Sequence, residues 1–108
     1  MTAKQLAKEL ELTALTDCGD DKEVDGCYIC DLLSYVMSHA SKGNVWITVQ
    51  TNINVVAVAS LTEVSCVIIP ENIVVEDITL KKAAAENITF FSSQHTAYEL
   101  AGKLSEII

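Results

Sequence analysis

Cys27-Tyr28-Ile29-Cys30, with Cys18 upstream, is the stretch whose residue types and spacing most directly suggest chemistry: a pair of metal ligands or a redox dithiol. Two thiols that chelate or exchange must converge from a turn or a helix start. Residues 24–30 read instead as a strand, in which positions three apart point to opposite faces. No second Cys-x-x-Cys follows and no histidine is close by. The cysteines are therefore expected to be small buried hydrophobes kept as thiols, as in the cytosol. His39 follows a predicted helix and His95 precedes one, and neither is paired in sequence with a nucleophile.

The carboxylates of Asp17, Asp20, Asp21, Glu23 and Asp25 are the right donors for a hard cation, but they lack the ordered alternation and terminal glutamate of an EF-hand loop. They read as a solvated loop. There is no Gly-x-Gly-x-x-Gly, no Gly-Lys-Ser/Thr and no arginine, so neither a phosphate-cradling loop nor a bidentate phosphate clamp is signalled. Nothing in the residues calls for a cofactor, and no catalytic centre is expected.

One constellation remains. Thr48, Gln50, Thr51 and Asn54 lie where the best strand gives way to a helix, Asp31 and Ser34 hold the corresponding place after the preceding strand, and Ser92 and Ser93 follow the last. Open α/β sheets place their ligands at these carboxyl ends. Taken locally, each residue caps a helix or satisfies nearby backbone. Taken together, they form the rim of one crevice.

The elements that must position these residues are read from periodicity. Apolar spacing predicts helices over residues 2–11, 32–37, 55–61, 76–86 and 97–107, with capping boxes at Thr2/Gln5 and Thr96/Glu99 and with Asp31 capping the second. Strands are expected over 24–30, 45–51, 65–69 and 88–92, and Asn87 suits a left-handed position after the fourth helix. Residues 13–15 read as a short lead into the acidic loop. Helix 55–61 is apolar on every side, which predicts burial in the core or in a subunit contact. Strands alternating with helices imply an α/β class: a single domain, residues 1–108, with a mostly parallel sheet.

A chain of 108 residues supports one core, and its 50% hydrophobic content excludes a disordered chain. The formal net charge of −8 argues against nucleic acid and anionic membranes as partners. The longest apolar runs, 55–61 and 66–70, fall far short of the roughly 20 residues that span a bilayer. The first ten residues alternate charge and apolar groups, unlike a signal peptide, so a cytoplasmic protein is expected.

Residues 26–34 and 45–61, and the ending Thr96-Ala97-Tyr98-Glu99-Leu100-Ala101-Gly102-Lys103-Leu104, resemble the DRTGG domain in its small stand-alone form. The family's name-giving pentapeptide is absent as a contiguous string, and Cys27 and Cys30 stand where small residues are expected. The resemblance implies a regulatory module of the kind attached to phosphotransacetylases and, beside CBS domains, to some inorganic pyrophosphatases, where nucleotide sensing is implicated. It also implies a fold related to the N-terminal domain of HPr kinase/phosphorylase, whose kinase chemistry resides in a separate P-loop domain. Small members resemble proteins encoded beside hydrogenase subunits, which implies a redox-enzyme partner. The expectation is thus a non-catalytic domain binding an adenine nucleotide or similar small ligand near Thr48, Gln50 and Asn54, and forming a homodimer. The alternative is an interaction or assembly module for a redox complex without a small-molecule site.

Overall fold

The computed structural model describes residues 1–16 and 21–108; Asp17, Cys18, Gly19 and Asp20, which belong to the expected acidic loop and include one of the thiols weighed above, lie outside the described residues. Local signals set the first and last helices. α1 (Ala3–Glu9) starts at Thr2, whose hydroxyl accepts from the Gln5 amide at 3.3 Å while Gln5 Oε1 accepts from the Thr2 amide at 2.9 Å. α5 (Ala97–Ile107) starts on the same device, with Glu99 N donating to Thr96 Oγ1 at 3.2 Å and Thr96 N to Glu99 Oε1 at 3.0 Å. Each box pairs donors that a helix start otherwise leaves open.

Between them run β1 (Thr13–Ala14), β2 (Gly26–Ile29), α2 (Leu33–His39), β3 (Asn44–Ile47), α3 (Asn54–Thr62), β4 (Cys66–Ile69), α4 (Asp77–Ala85) and β5 (Phe90–Ser92). The strands form one sheet in the order β1-β5-β4-β3-β2, in which β2 to β5 are parallel and β1 lies antiparallel on β5. The fold is α/β with a mostly parallel sheet, as the alternation of elements predicts.

Each crossover, through α2, α3 and α4, steps to the adjacent strand in the same direction. Connections of one hand then put all three helices on one face; α1 and α5 cover the other. The two-residue period of strands divides the core between the faces. Trp46, Val67, Ile69 and Phe90 pack with Val55, Val56 and Ala83 on the first, while Val45, Ile47, Cys66, Ile68 and Phe91 pack with Leu6, Leu100 and Leu104 on the second. Because both faces are covered, all four residues of β4 are buried, which explains its unbroken apolar run. Trp46 is fully buried with Nε1 donating to the Cys30 carbonyl at 2.9 Å.

The structure corrects several boundaries. The expected strand over 45–51 ends at Ile47, where Thr48 turns its hydroxyl to Asp31 and the chain leaves the sheet. The strand over 88–92 begins at Phe90, and the one over 24–30 shortens to Gly26–Ile29. Residues 13–15 supply an additional strand, β1, paired through Thr13 with Ser92. α3 buries Val55, Val56, Val58 and Ala59 inside the protomer and turns Ala57, Ser60 and Leu61 outward, so the core takes up one face of this apolar helix. Among the described residues, no helix is long and apolar enough to cross a membrane.

Candidate functional site

The carboxyl ends of β2 and β3 carry a chain of hydrogen bonds centred on Asp31. Its Oδ1 accepts from Thr48 Oγ1 at 2.8 Å and from the Val49 amide at 2.9 Å, and its carbonyl accepts from Gln50 Nε2 at 3.0 Å. Thr48 Oγ1 in turn accepts from the Gln50 amide at 3.2 Å, Gln50 Oε1 from Asn52 Nδ2 at 3.1 Å, and Asn52 Oδ1 from the Asn54 amide at 2.9 Å. The buried Thr79 hydroxyl fastens the same loop to α4 through the Thr51 carbonyl at 2.8 Å. The structure thus brings Asp31, Thr48, Gln50, Thr51 and Asn54 together and adds Asn52, which was not among the expected site residues. The side-chain polar atoms of Thr48, Gln50 and Asn52 are all spent on neighbours.

Asp31 does not cap α2, as its position suggested. The cap is Leu32, which makes no side-chain bond; its carbonyl takes the Tyr35 and Val36 amides at 2.9 and 3.1 Å, and the Asp31 carboxylate reaches across to the β3 loop instead. Ser34 is left exposed on α2, where only its carbonyl is engaged, by Ser38 Oγ at 3.1 Å. It takes no part in the network.

Ser92 belongs to a different place, two strands away. It sits with Leu10, Glu11, Thr13, Asn72, Ser93, Gln94 and His95 around a polar cleft of about 250 Å³ at the carboxyl ends of β4 and β5. There the outgoing connections diverge: β4 leads to α4 on one face and β5 to α5 on the other. A divergence of this kind opens a crevice at the sheet edge. The two loops are tied by Glu71 N to His95 O at 2.9 Å, Asn72 N to Ser93 O at 2.8 Å and Ser93 N to Ile69 O at 3.0 Å. Glu71 and Asn72 reach those partners with φ of 60° and 55°, consecutive left-handed residues outside any helix end, a conformation costing roughly 1–2 kcal/mol for a residue other than glycine and less for asparagine. The side chains of Glu11, Thr13, Asn72, Ser92 and Gln94 have no hydrogen-bond partner among the described residues. Ser93 Oγ accepts from the His95 amide at 3.0 Å, and His95 Nδ1 lies 3.5 Å from Glu99 Oε2.

A further cavity, of about 600 Å³, is at the opposite, amino end of the parallel strands, where the sequence pointed to no ligand site. Its charged walls are Lys22, Glu23, Asp25, Lys42, Glu63 and Glu86. Both lysines are engaged, Lys22 with the Asn87 carbonyl at 3.2 Å and Lys42 with Glu63 at 3.8 Å. The one signal for it was Gly43: at φ 92° it passes so close to the Asp25 carboxylate that a Cβ would lie 2.6 Å from Oδ1.

The thiols diverge as strand geometry requires, but of the described cysteines only Cys66 has the expected burial; Cys27 is exposed and Cys30 half-buried, because β2 is an edge strand. Cys30 packs with Tyr28 toward α2 and α3, whereas Cys27 faces the groove against α5, so the pair does not converge. Cys27 has an exposed side, yet the surrounding atoms still desolvate the thiol and push it up to about 11; full burial pushes Cys66 up to about 12. No group of three metal-ligating side chains occurs among the described residues. Within the acidic segment, Asp21 accepts from the Lys4 amide at 2.9 Å and Glu23 pairs with the terminal ammonium at 3.3 Å. His39 is stacked on Tyr35, with ring centroids 5.1 Å apart.

Among solved structures, the chain is similar to the CBS and DRTGG domains of the regulatory region of a Clostridium perfringens pyrophosphatase, described as complexed with an activator, diadenosine tetraphosphate. The TM-score is 0.73 at 14% identity, over 95% of this chain and 45% of that one. What is shared at that identity is the fold, which is DRTGG-like, and the chain spans less than half of its neighbour. No family model and no curated protein matches the sequence.

Proposed function

We propose that this chain is a regulatory, ligand-sensing domain without chemistry of its own, which binds an adenine nucleotide or a small molecule of similar hydrogen-bonding character at the carboxyl edge of its sheet. The observation that carries the proposal is the edge itself: it holds a braced loop set, Asp31 to Asn54, and, two strands away, a cleft in which the side chains of Thr13, Asn72, Ser92 and Gln94 are uncommitted. The likeness in fold to a regulatory region described with a nucleotide activator supports it. Binding to the folded state alone raises stability by RT ln(1 + [L]/Kd), about 1.4 kcal/mol at ten times Kd. For a domain of this size that amounts to roughly 5–10 °C in Tm. A thermal-shift series with millimolar adenosine, AMP, ATP and diadenosine tetraphosphate should show such a shift for at least one compound; no shift with any of them overturns the proposal.

A second reading, a docking module for a partner such as a redox enzyme or for a second copy of the chain, is favoured by a separate observation. Leu32, Val49, Ile53 and Val74 are large apolar side chains exposed on the connections at the same edge, with Ile78 exposed in the first turn of α4, and exposed apolar surface is what interaction sites use. Native mass spectrometry of the protein purified from its host distinguishes the two: a stoichiometric protein partner with no nucleotide response favours docking.

A further inference from the structure

We infer that the cleft between the ends of β4 and β5 receives the uncharged hydrogen-bonding part of the ligand, a nucleobase or ribose-like group, and leaves any phosphates in solvent. This deepens the proposal above and rests on it.

Three features of the cleft lead there. First, its walls are preorganised. The 70–75 connection and the 93–96 connection are held together by Glu71 N to His95 O and Asn72 N to Ser93 O, so neither loop needs to be ordered by the ligand. Second, apart from Glu11, its unused groups are neutral and two-sided. The side-chain amides of Asn72 and Gln94 each present a donor and an acceptor, and the Ser92 and Thr13 hydroxyls can do either. An amide matches the adjacent donor and acceptor on the edge of an adenine, N6 and N7. Third, the charge is wrong for phosphate. Glu11 lines the cleft, Glu71 adjoins Asn72, Glu99 stands against His95, and no lysine is among the lining residues. The 250 Å³ volume agrees, being below the roughly 300–1,000 Å³ of sites that enclose a whole drug-sized ligand.

The experiment is titration of the intact chain with adenosine, AMP and ATP, at low and at 0.5 M salt, followed by calorimetry and by amide chemical shifts. Adenosine is expected to bind more tightly than ATP by about 3- to 10-fold at low salt, the gap closing as added salt screens Glu11 and its neighbours. Shifts should centre on Asn72, Ser92, Gln94 and His95. Ser92→Ala and Asn72→Gly, the latter keeping the left-handed backbone, should each weaken adenosine binding at least 5-fold with an unchanged circular dichroism spectrum. Ser60→Ala, on the outer face of α3, should not. Glu11→Gln should narrow the gap between adenosine and ATP. ATP binding as tightly as adenosine, or shifts centred elsewhere, overturns the inference and leaves the proposed function standing. No binding by any of the three removes the inference, and no response to diadenosine tetraphosphate either removes the proposed function with it.

Discussion

Two polar clusters share the carboxyl edge of this sheet, and they differ in what their side chains are doing. Around Asp31, oxygen and nitrogen atoms are paired off in sequence, from Thr48 through Gln50 and Asn52 to the Asn54 amide. Around Ser92, the loops are tied by backbone bonds alone, and the side chains of Asn72, Ser92 and Gln94 are left over. A polar group that already has its partner gains little by exchanging it for a ligand, whereas one facing a cleft exchanges only water. The first cluster is a brace and the second an opening, although both look alike as strings of Ser, Thr, Asn and Gln.

Asp31→Ala is the harshest way to break that comparison. It strands the buried Thr48 hydroxyl and the Val49 amide at once, and losing charge-assisted bonds of this kind costs about 2–3 kcal/mol. Urea denaturation should show the midpoint falling with the slope unchanged; a midpoint equal to the parent's means the network is no brace. Thr48→Val tests the same cluster more gently. The side chain is 1% exposed and both donates and accepts, so a loss of about 1–2 kcal/mol is expected by the same measurement. Ser92→Ala sharpens the contrast from the other side. It removes a hydroxyl that has no partner to lose, so stability should stay within about 0.5 kcal/mol of the parent while adenosine binding falls. A destabilisation as large as that of Thr48→Val would erase the distinction.

The smallest expected effect lies next to the cleft, at the start of α5. Donation from the Thr96 backbone amide, then from its hydroxyl, holds the Glu99 carboxyl below its ordinary value of 4.5, with His95 acting in the same direction. A depressed pKa in the folded state means stabilisation fully present above 4.5 and lost as pH falls through the lower folded value. Amide exchange in the first turn of α5 should therefore speed up as pH drops below 4.5, once corrected for intrinsic rates. In Glu99→Gln that pH dependence should flatten.

How much of this could be read in the sequence follows from how far apart the partners are. The capping boxes of α1 and α5 and the left-handed Asn87 depend on residues within a turn of each other, and the structure has them where they were expected. The all-buried β4 was legible because an apolar run of that length has few other uses in an α/β chain. β1 was not, since two residues carry no period and its strand character comes from pairing with β5. Asp31 was misread because its partners lie 17 and 18 positions away, and the helix it precedes offered a nearer use. Ser92 was singled out correctly as a strand-end residue but grouped with the wrong loops. Its neighbours Glu11 and Asn72 reach it only through the strand order, which no local pattern encodes.

The strand order has one more consequence. Two residues of β1 blunt one margin of the sheet, whereas β2, among the described residues, pairs on one side only and leaves a four-residue margin on the other. Molecules that join by sheet extension need a donor margin and an acceptor margin to add units indefinitely. With only one margin long enough to pair, such joining can close as a two-fold dimer and then has nowhere to continue.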